Sequence, residues 1–363
     1  MTAAPGWGRI GAGRTELVTA RFRALRALVA VTRAAAGVHG GGALPAARLA
    51  RRVRRRQGFE YAEALRAGLL DPGMPDAVRS AFASRHATLQ ALAPLNGGGA
   101  APAIARDKWV FYRYCAALGL PVPDLLAVID RRGPGWGAPA RVVAGRADRD
   151  ALVADLPDEF VVKPSEGYGG RGVAVVRREG AGGVWDAIAA DPEFDVWILQ
   201  ERLANHPAVA ALAGDAGLHT VRVTSLVARD GSIDLIMAYL KLSLSGRPAD
   251  NFQAGASGNA IAWVDVASGR LGPLTTPRAD GAGMAERDDN PVTGARVAGA
   301  IVPGWDAVGA LVRRAAPAFL PLRAVGWDVA ITPTGPVLVE ANTRWLPFPG
   351  PAMGGVLRRL LEA

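Results

Sequence analysis

GWDVAITPTGPVLVEAN, residues Gly326 to Asn342, reads as two short strands around a turn. Val329 and Ile331 on one side and Val337, Leu338 and Val339 on the other are strand formers, and Thr332-Pro333-Thr334-Gly335-Pro336 between them is dense in turn residues. Glu340 and Asn342 stand two apart, so on a strand they leave the same face, and a five-residue turn sets Asp328 across from Glu340. Three oxygen ligands then converge on an otherwise apolar hairpin. Two carboxylates this close repel unless a cation lies between them, and hard oxygen donors suit a magnesium ion that also holds phosphates. A solvent-facing charged hairpin explains the same residues equally well.

Working outward, the whole chain has 363 residues, half of them hydrophobic and 21% charged, enough for two or three domains with a large core. A single cysteine, Cys115, excludes a disulfide framework and a cysteine metal cluster, and fits a reducing cytoplasm. No apolar run approaches the length of a membrane span, and arginines interrupt the only N-terminal candidate for a leader. The formal charge of +9 is unevenly spread: residues 1–106 hold 16 Arg against 5 acidic residues. Only Lys108, Lys163 and Lys241 are lysines. A chain so biased toward Arg is expected to keep Lys where a compact ammonium is wanted, as against a phosphate.

The N-terminal stretch has helical spacing over 14–36, and further helices are expected at 59–68 and 75–92, ending in a linker, Ala93 to Ala103 (APLNGGGAAPA). RLARRVRRR, Arg48 to Arg56, is a basic run suited to an anionic surface or to a solvated helix face. Asp107 caps a helix that carries Lys108 in its first turn and Cys115 at a core position. EFVVKPSEGYGGRGVAVVRR follows: a strand ending on Lys163, a loop with Gly167, Gly169, Gly170 and Gly172, then a second strand. Such a loop can fold over phosphates, or it can be a plain glycine hairpin. The strand DVWILQERL ends on Gln200 and Glu201, and the strand pair HTVRVTSLVA and IDLIMAYLKLSL carries Arg222 and Lys241 among apolar residues, where a cation wants an anion or a structural ion pair.

In this order these residues resemble the ATP-grasp superfamily. LQERLANHPAVAAL, HTVRV, DNFQAGASGNAIAWVD, NPVTG, VPGWD and the hairpin resemble, more narrowly, its sugar-transfer-associated family, related to the ligases that extend glutamate chains, over roughly residues 100–345. The resemblance implies an α+β fold, two ATP-grasp subdomains holding ATP between sheets, preceded by a helical N-terminal region. The divisions expected are 1–103, 104–200 and 201–363. It implies Lys108 and Lys163 on phosphates, the loop with Ser165, Gly169 and Gly170 as a lid, and Gln200 and Glu201 at the adenosine. Asp328, Glu340 and Asn342 would hold magnesium, or manganese in its place, with Arg222, Lys241 and Asn251 near the γ-phosphate or the acceptor. The activity implied is a cytoplasmic ATP-dependent ligase joining a small-molecule carboxylate to an amine through an acyl phosphate, with a place in polysaccharide or cell-surface glycan synthesis. A kinase and a nucleotide-binding scaffold are the alternatives. Lys241 stands where the family often has Arg, Asn290 stands in NPVTG where it usually has His, and the helical first hundred residues differ from its usual α/β domain; Arg344, after the hairpin, is a candidate grip on a substrate carboxylate or a surface arginine.

Overall fold

Sequence periodicity in the first hundred residues becomes helix, and beyond them it becomes two sheets. A computed structural model describes residues 10–97, 101–167, 169–214, 217–244, 252 and 257–363, with side chains from Phe22 onward. Asn251 lies outside the described residues. Two compact units form, Met1–Thr88 with Pro277–Met284 and Pro347–Gly354, and Leu89–Thr276 with Ala285–Leu346 and Gly355–Ala363.

In the first unit the helices Ile10–His39 and Ala43–Gln57 pack through Leu28, Val31, Ala35, Ala50 and Val53 onto Phe59, Ala64, Leu69 and Leu70. The helix expected over 75–92 is broken into Asp76–Ser80 and Arg85–Asn96. Ser84 makes the break: its hydroxyl accepts from the Ala87 amide at 3.1 Å and donates to the Gln57 carbonyl at 2.6 Å, so it starts a new helix. The last of these helices runs on through Pro94 into the stretch expected to be a linker. Within the second unit, buried Asn96 ends that helix by exchanging hydrogen bonds with Ala324, 2.6 and 2.9 Å, and by donating to the Thr343 carbonyl.

The second unit rests on two sheets. The first contains β1 (Leu125–Asp130), β2 (Gly135–Gly137), β3 (Arg141–Val143), β4 (Glu159–Pro164), β5 (Ala174–Arg177) and β6 (Val196–Glu201), in the order β3-β2-β1-β6-β4-β5. The second contains β7 (Thr220–Val227), β8 (Ile233–Leu242), β9 (Ala260–Val264), β10 (Leu271–Pro277), β11 (Met284–Arg287), β12 (Ala324–Thr332) and β13 (Gly335–Asn342), in the order β11-β10-β9-β8-β7-β12-β13. Alternation divides the central strands β7 and β12. Val221, Val223, Val325, Trp327 and Val329 point into a core closed by the helix Trp305–Ala318, and Trp327 meets Phe319 edge-on at 5.0 Å. Arg222 and Asp328 therefore leave the opposite face.

The hairpin is as expected, with one difference in how its register is reached. Its turn is tighter than five residues, since Thr332 pairs with Gly335 and Ile331 with Pro336. Val339 then forms a bulge, and beyond it Asp328 still pairs with Glu340 and Gly326 with Asn342. A shorter turn and one extra residue cancel.

Candidate active site

Four residues stand side by side across the second sheet on the face away from the core. Glu340 on β13 pairs with Asp328 on β12, Asp328 with Arg222 on β7, and Arg222 with Tyr239 on β8. Lys241, two residues beyond Tyr239, shares that face. Arg222 grips Asp328 through two parallel bonds, Nε to Oδ1 at 2.6 Å and Nη2 to Oδ2 at 2.9 Å, and Lys241 Nζ adds a third contact at 3.2 Å. Burial pushes the Asp328 carboxyl up, but Arg222 and Lys241 outweigh it and hold the group at about 2. The same pair works on Arg222, where burial is overcome by Asp328 and the guanidinium is held more firmly protonated than usual.

The facing wall comes from the first sheet and one helix. Asp107 accepts from the Trp109 amide at 3.3 Å and so caps the helix Lys108–Ala117, which presents Lys108 and, one turn on, Tyr112. Lys163 at the end of β4 donates to the Tyr112 hydroxyl at 2.8 Å. That hydroxyl lies 2.9 Å from Gln200 Oε1 on β6 and 3.0 Å from the Val339 carbonyl, and donates its single proton to one of them. The bulge that fixes the hairpin register thus also offers its carbonyl to this network. Lys108 Nζ donates to the Gly167 carbonyl at 2.7 Å and sits 3.4 Å from Glu340 Oε1. Burial, then the charge of Lys108, lowers the Lys163 ammonium to about 7, and burial followed by Glu340 keeps the Tyr112 phenol protonated well above its ordinary range.

Between these walls lies a cavity of about 670 Å³, within the size range of small-molecule sites. Lys108, Lys163, Gly169, Gly170, Gln200, Lys241, Asp328 and Glu340 line it. All three lysines of the chain are therefore buried at one site. With Arg171 and Arg202 they set five basic side chains against the carboxylates of Glu159, Asp328 and Glu340, so the cavity suits a polyanion.

Other residues singled out in the sequence are not among those that line the cavity. Ser165 is fully buried: its hydroxyl donates to Asp107 and accepts from the Trp109 amide at 3.2 Å, which locks the helix start. The Glu201 carboxylate accepts from the Asp124 amide at 2.9 Å. Arg222 reaches the cavity only through Asp328, and Asn342 donates its amide to the Gly326 carbonyl at 3.3 Å. Gly172 is required for packing, because its φ is +71° and a Cβ there would lie 2.8 Å from Pro164. Asn290 holds its own loop, donating to the Leu212 carbonyl at 2.8 Å and accepting from the Val292 amide at 2.8 Å. Arg344 is exposed and away from the lining. Sequence reasoning missed Tyr112, Glu159, Arg202 and Asn205. Tyr112 carried a signal, since it follows Lys108 by four residues and so shares its helix face.

No curated protein matches the chain. Among solved structures it is similar to the D-alanine-D-alanine ligase from Coxiella burnetii, at 11% identity and a TM-score of 0.36 over 67% of this chain and 49% of that one. It is similar also to the D-cycloserine synthetase DcsG, at 18% identity and a TM-score of 0.39 over 71% of both chains. A third likeness is to the L-amino acid ligase from Bacillus licheniformis, at 13% identity and a TM-score of 0.37 over 70% of this chain and 45% of that one. The chain spans about half the length of the first and third of these. TM-scores this low carry no argument about activity. The sequence model of the sugar-transfer associated ATP-grasp family matches residues 92–362, and the chain belongs to that family.

Proposed function

We propose that the chain is an ATP- and magnesium-dependent ligase that joins a carboxylate to an amine through an acyl phosphate. The observation that carries this reading is the convergence of Lys108, Lys163 and Lys241 with Asp328 and Glu340 on one cavity, in a chain of this family. Residues 104–200 and 201–363 would be the two halves that hold the nucleotide. The family's association with sugar transfer supports a substrate drawn from polysaccharide or cell-surface glycan synthesis. A cytoplasmic setting would supply the ATP, and no helix among the described residues is long and apolar enough to cross a membrane.

The donor set fits magnesium shared with phosphates. Among the described residues no three His, Cys, Asp or Glu side chains gather as a closed cage. Asp328 and Glu340 face each other, and each carboxylate oxygen has two lone-pair sites, so the Arg222 and Lys241 bonds leave Asp328 able to bind further. The amide nitrogen of Asn342 is held by Gly326, which frees its oxygen. Two carboxylates and an amide oxygen, completed by water and phosphate, suit a cation that sheds water reluctantly. Bound there, magnesium would offset charge on the phosphates.

Lys108 and Lys163 would hold the nucleotide phosphates, under the loop with Gly169 and Gly170 and beside Gln200. The substrate carboxylate attacks the γ-phosphorus, ADP leaves, and an acyl phosphate forms. The amine then attacks the acyl carbon and inorganic phosphate departs. Lys241 would lie against the transferring group, and Arg222 would act through Asp328, holding that carboxylate ionised and in place. Positioning and charge supply the catalysis, with no side-chain nucleophile.

Mass spectrometry of reactions with candidate amino acids and sugar acids tests the reading. ADP with an amide supports it; ADP with a phosphate ester makes the protein a kinase, and ATP bound but unconsumed makes it a scaffold. Lys163 gives a second test. The Lys163 ammonium lies near 7, and an arriving polyanion favours the charged form and raises that value. The affinity for a non-hydrolysable ATP analogue is therefore level below pH 7 and falls as pH rises above it. Binding at pH 8 takes up a proton, which calorimetry in buffers of different ionisation enthalpy reads directly. The neighbouring Tyr112 stays protonated and Asp328 ionised across this window, and Lys163→Met abolishes the uptake.

A further inference from the structure

Residues 22–57 contain nine arginines and no acidic residue, and each of the two helices they form turns one side away from the first unit's core. On the helix Ile10–His39, Leu28, Val31 and Ala35 are buried in the first unit's core, while Phe22, Leu25 and Val29 are 62%, 53% and 41% exposed. Their spacing, three and then four residues, makes them one stripe. Arg23, Arg26 and Arg33 are exposed beside it. On the helix Ala43–Gln57, Ala50 and Val53 face the core, and the other side is arginine. Arg52 meets Asp76 and Arg54 meets Glu60, but Arg48, Arg51, Arg55 and Arg56 have no acidic partner among the described residues.

We propose that this face of the first unit docks on an anionic lipid bilayer, with Phe22, Leu25 and Val29 entering the headgroup region and the arginines meeting lipid phosphates and carboxylates. Charge chooses the partner. A second copy of the chain would bring arginine against arginine. Nucleic acid would satisfy the arginines but leave the apolar stripe in water, and Phe22 alone offers no series of rings for bases to stack on. A bilayer satisfies both, since arginine stems cover apolar surface while their heads stay among the headgroups. The inference is independent of the ATP-site reading.

Removing the N-terminal residues would cut through the core at Leu28, Val31, Ala50 and Val53, so surface variants of the full chain make the test. Wild type should sediment at low salt with vesicles of phosphatidylcholine mixed with phosphatidylserine and not with phosphatidylcholine alone. High salt should release it. Arg51→Glu with Arg55→Glu should lower partitioning by about tenfold or more, since each arginine near such a surface contributes roughly fivefold. Phe22→Ser with Leu25→Ser should also weaken binding, and circular dichroism should show both variants melting with wild type. Two results overturn the proposal: no sedimentation with the anionic vesicles, or binding to a labelled DNA duplex that matches vesicle binding and is indifferent to Phe22→Ser with Leu25→Ser.

Discussion

Asp328→Asn should abolish ATP turnover and also lower stability by about 3 kcal/mol, the low end for breaking a buried ion pair, whereas Glu340→Gln should abolish turnover at little cost to the fold. The difference follows from what each carboxylate neutralises. Asp328 is 3% exposed and answers both Arg222 and Lys241, so an amide leaves two buried cations facing a neutral group. Glu340 is 27% exposed at its side chain and only approaches Lys108, so water takes over much of its part. Acid provides an internal check. The Asp328 pKa is depressed in the folded protein, so its contribution is complete above the unfolded carboxylate value of about 3.9 and is lost as pH falls toward about 2. Melting curves of wild type and Asp328→Asn should therefore converge in that window. Undiminished turnover in both variants would remove the metal role proposed for the pair.

Lys163→Met and Arg222→Met should fail in opposite ways. The lysine charge is a burden to the fold by itself, since burial and Lys108 lower its ammonium, so methionine there should leave the melting temperature unchanged or raise it. A non-hydrolysable ATP analogue should then bind at least about tenfold more weakly, the loss of one charge-assisted contact. Arg222→Met instead strands Asp328 with Lys241 as its remaining cation, at a cost of about 3 kcal/mol, and should reduce turnover more than nucleotide affinity. Calorimetric titration and melting of the two variants give both readouts. The reverse ranking in affinity would sink the division of roles.

The strands of the hairpin were legible because alternation and turn chemistry agree over Gly326 to Asn342. How the register is reached was not legible. A bulge at Val339 leaves no mark in composition, so a five-residue turn and a tighter turn plus one extra residue predict the same Asp328–Glu340 pair. Charge placement told more than any local motif: Lys108, Lys163 and Lys241 are scattered over the chain and meet in space. Which polar residues line the cavity was hidden, since nothing in sequence tells that the Ser165 hydroxyl bonds Asp107 and Trp109 or that one Glu201 oxygen accepts from the Asp124 amide. The broken helix near Ser84 was misread for a related reason. Apolar spacing continued across a residue whose hydroxyl caps a new helix.

Because the only lysine side chains of the chain crowd one cavity, acylation mapped to lysine becomes a reporter of that cavity. An amine-selective acylating reagent finds no other ε-amino group on the surface, where the basic residues are guanidiniums. Lys163, lowered to about 7, carries the neutral, nucleophilic amine near neutrality far more than an ordinary lysine does. Occupation of the cavity by any anion that charges Lys163 would silence it, so the rate of labelling measures ligand affinity in a protein that carries no dye and needs no assay for its product.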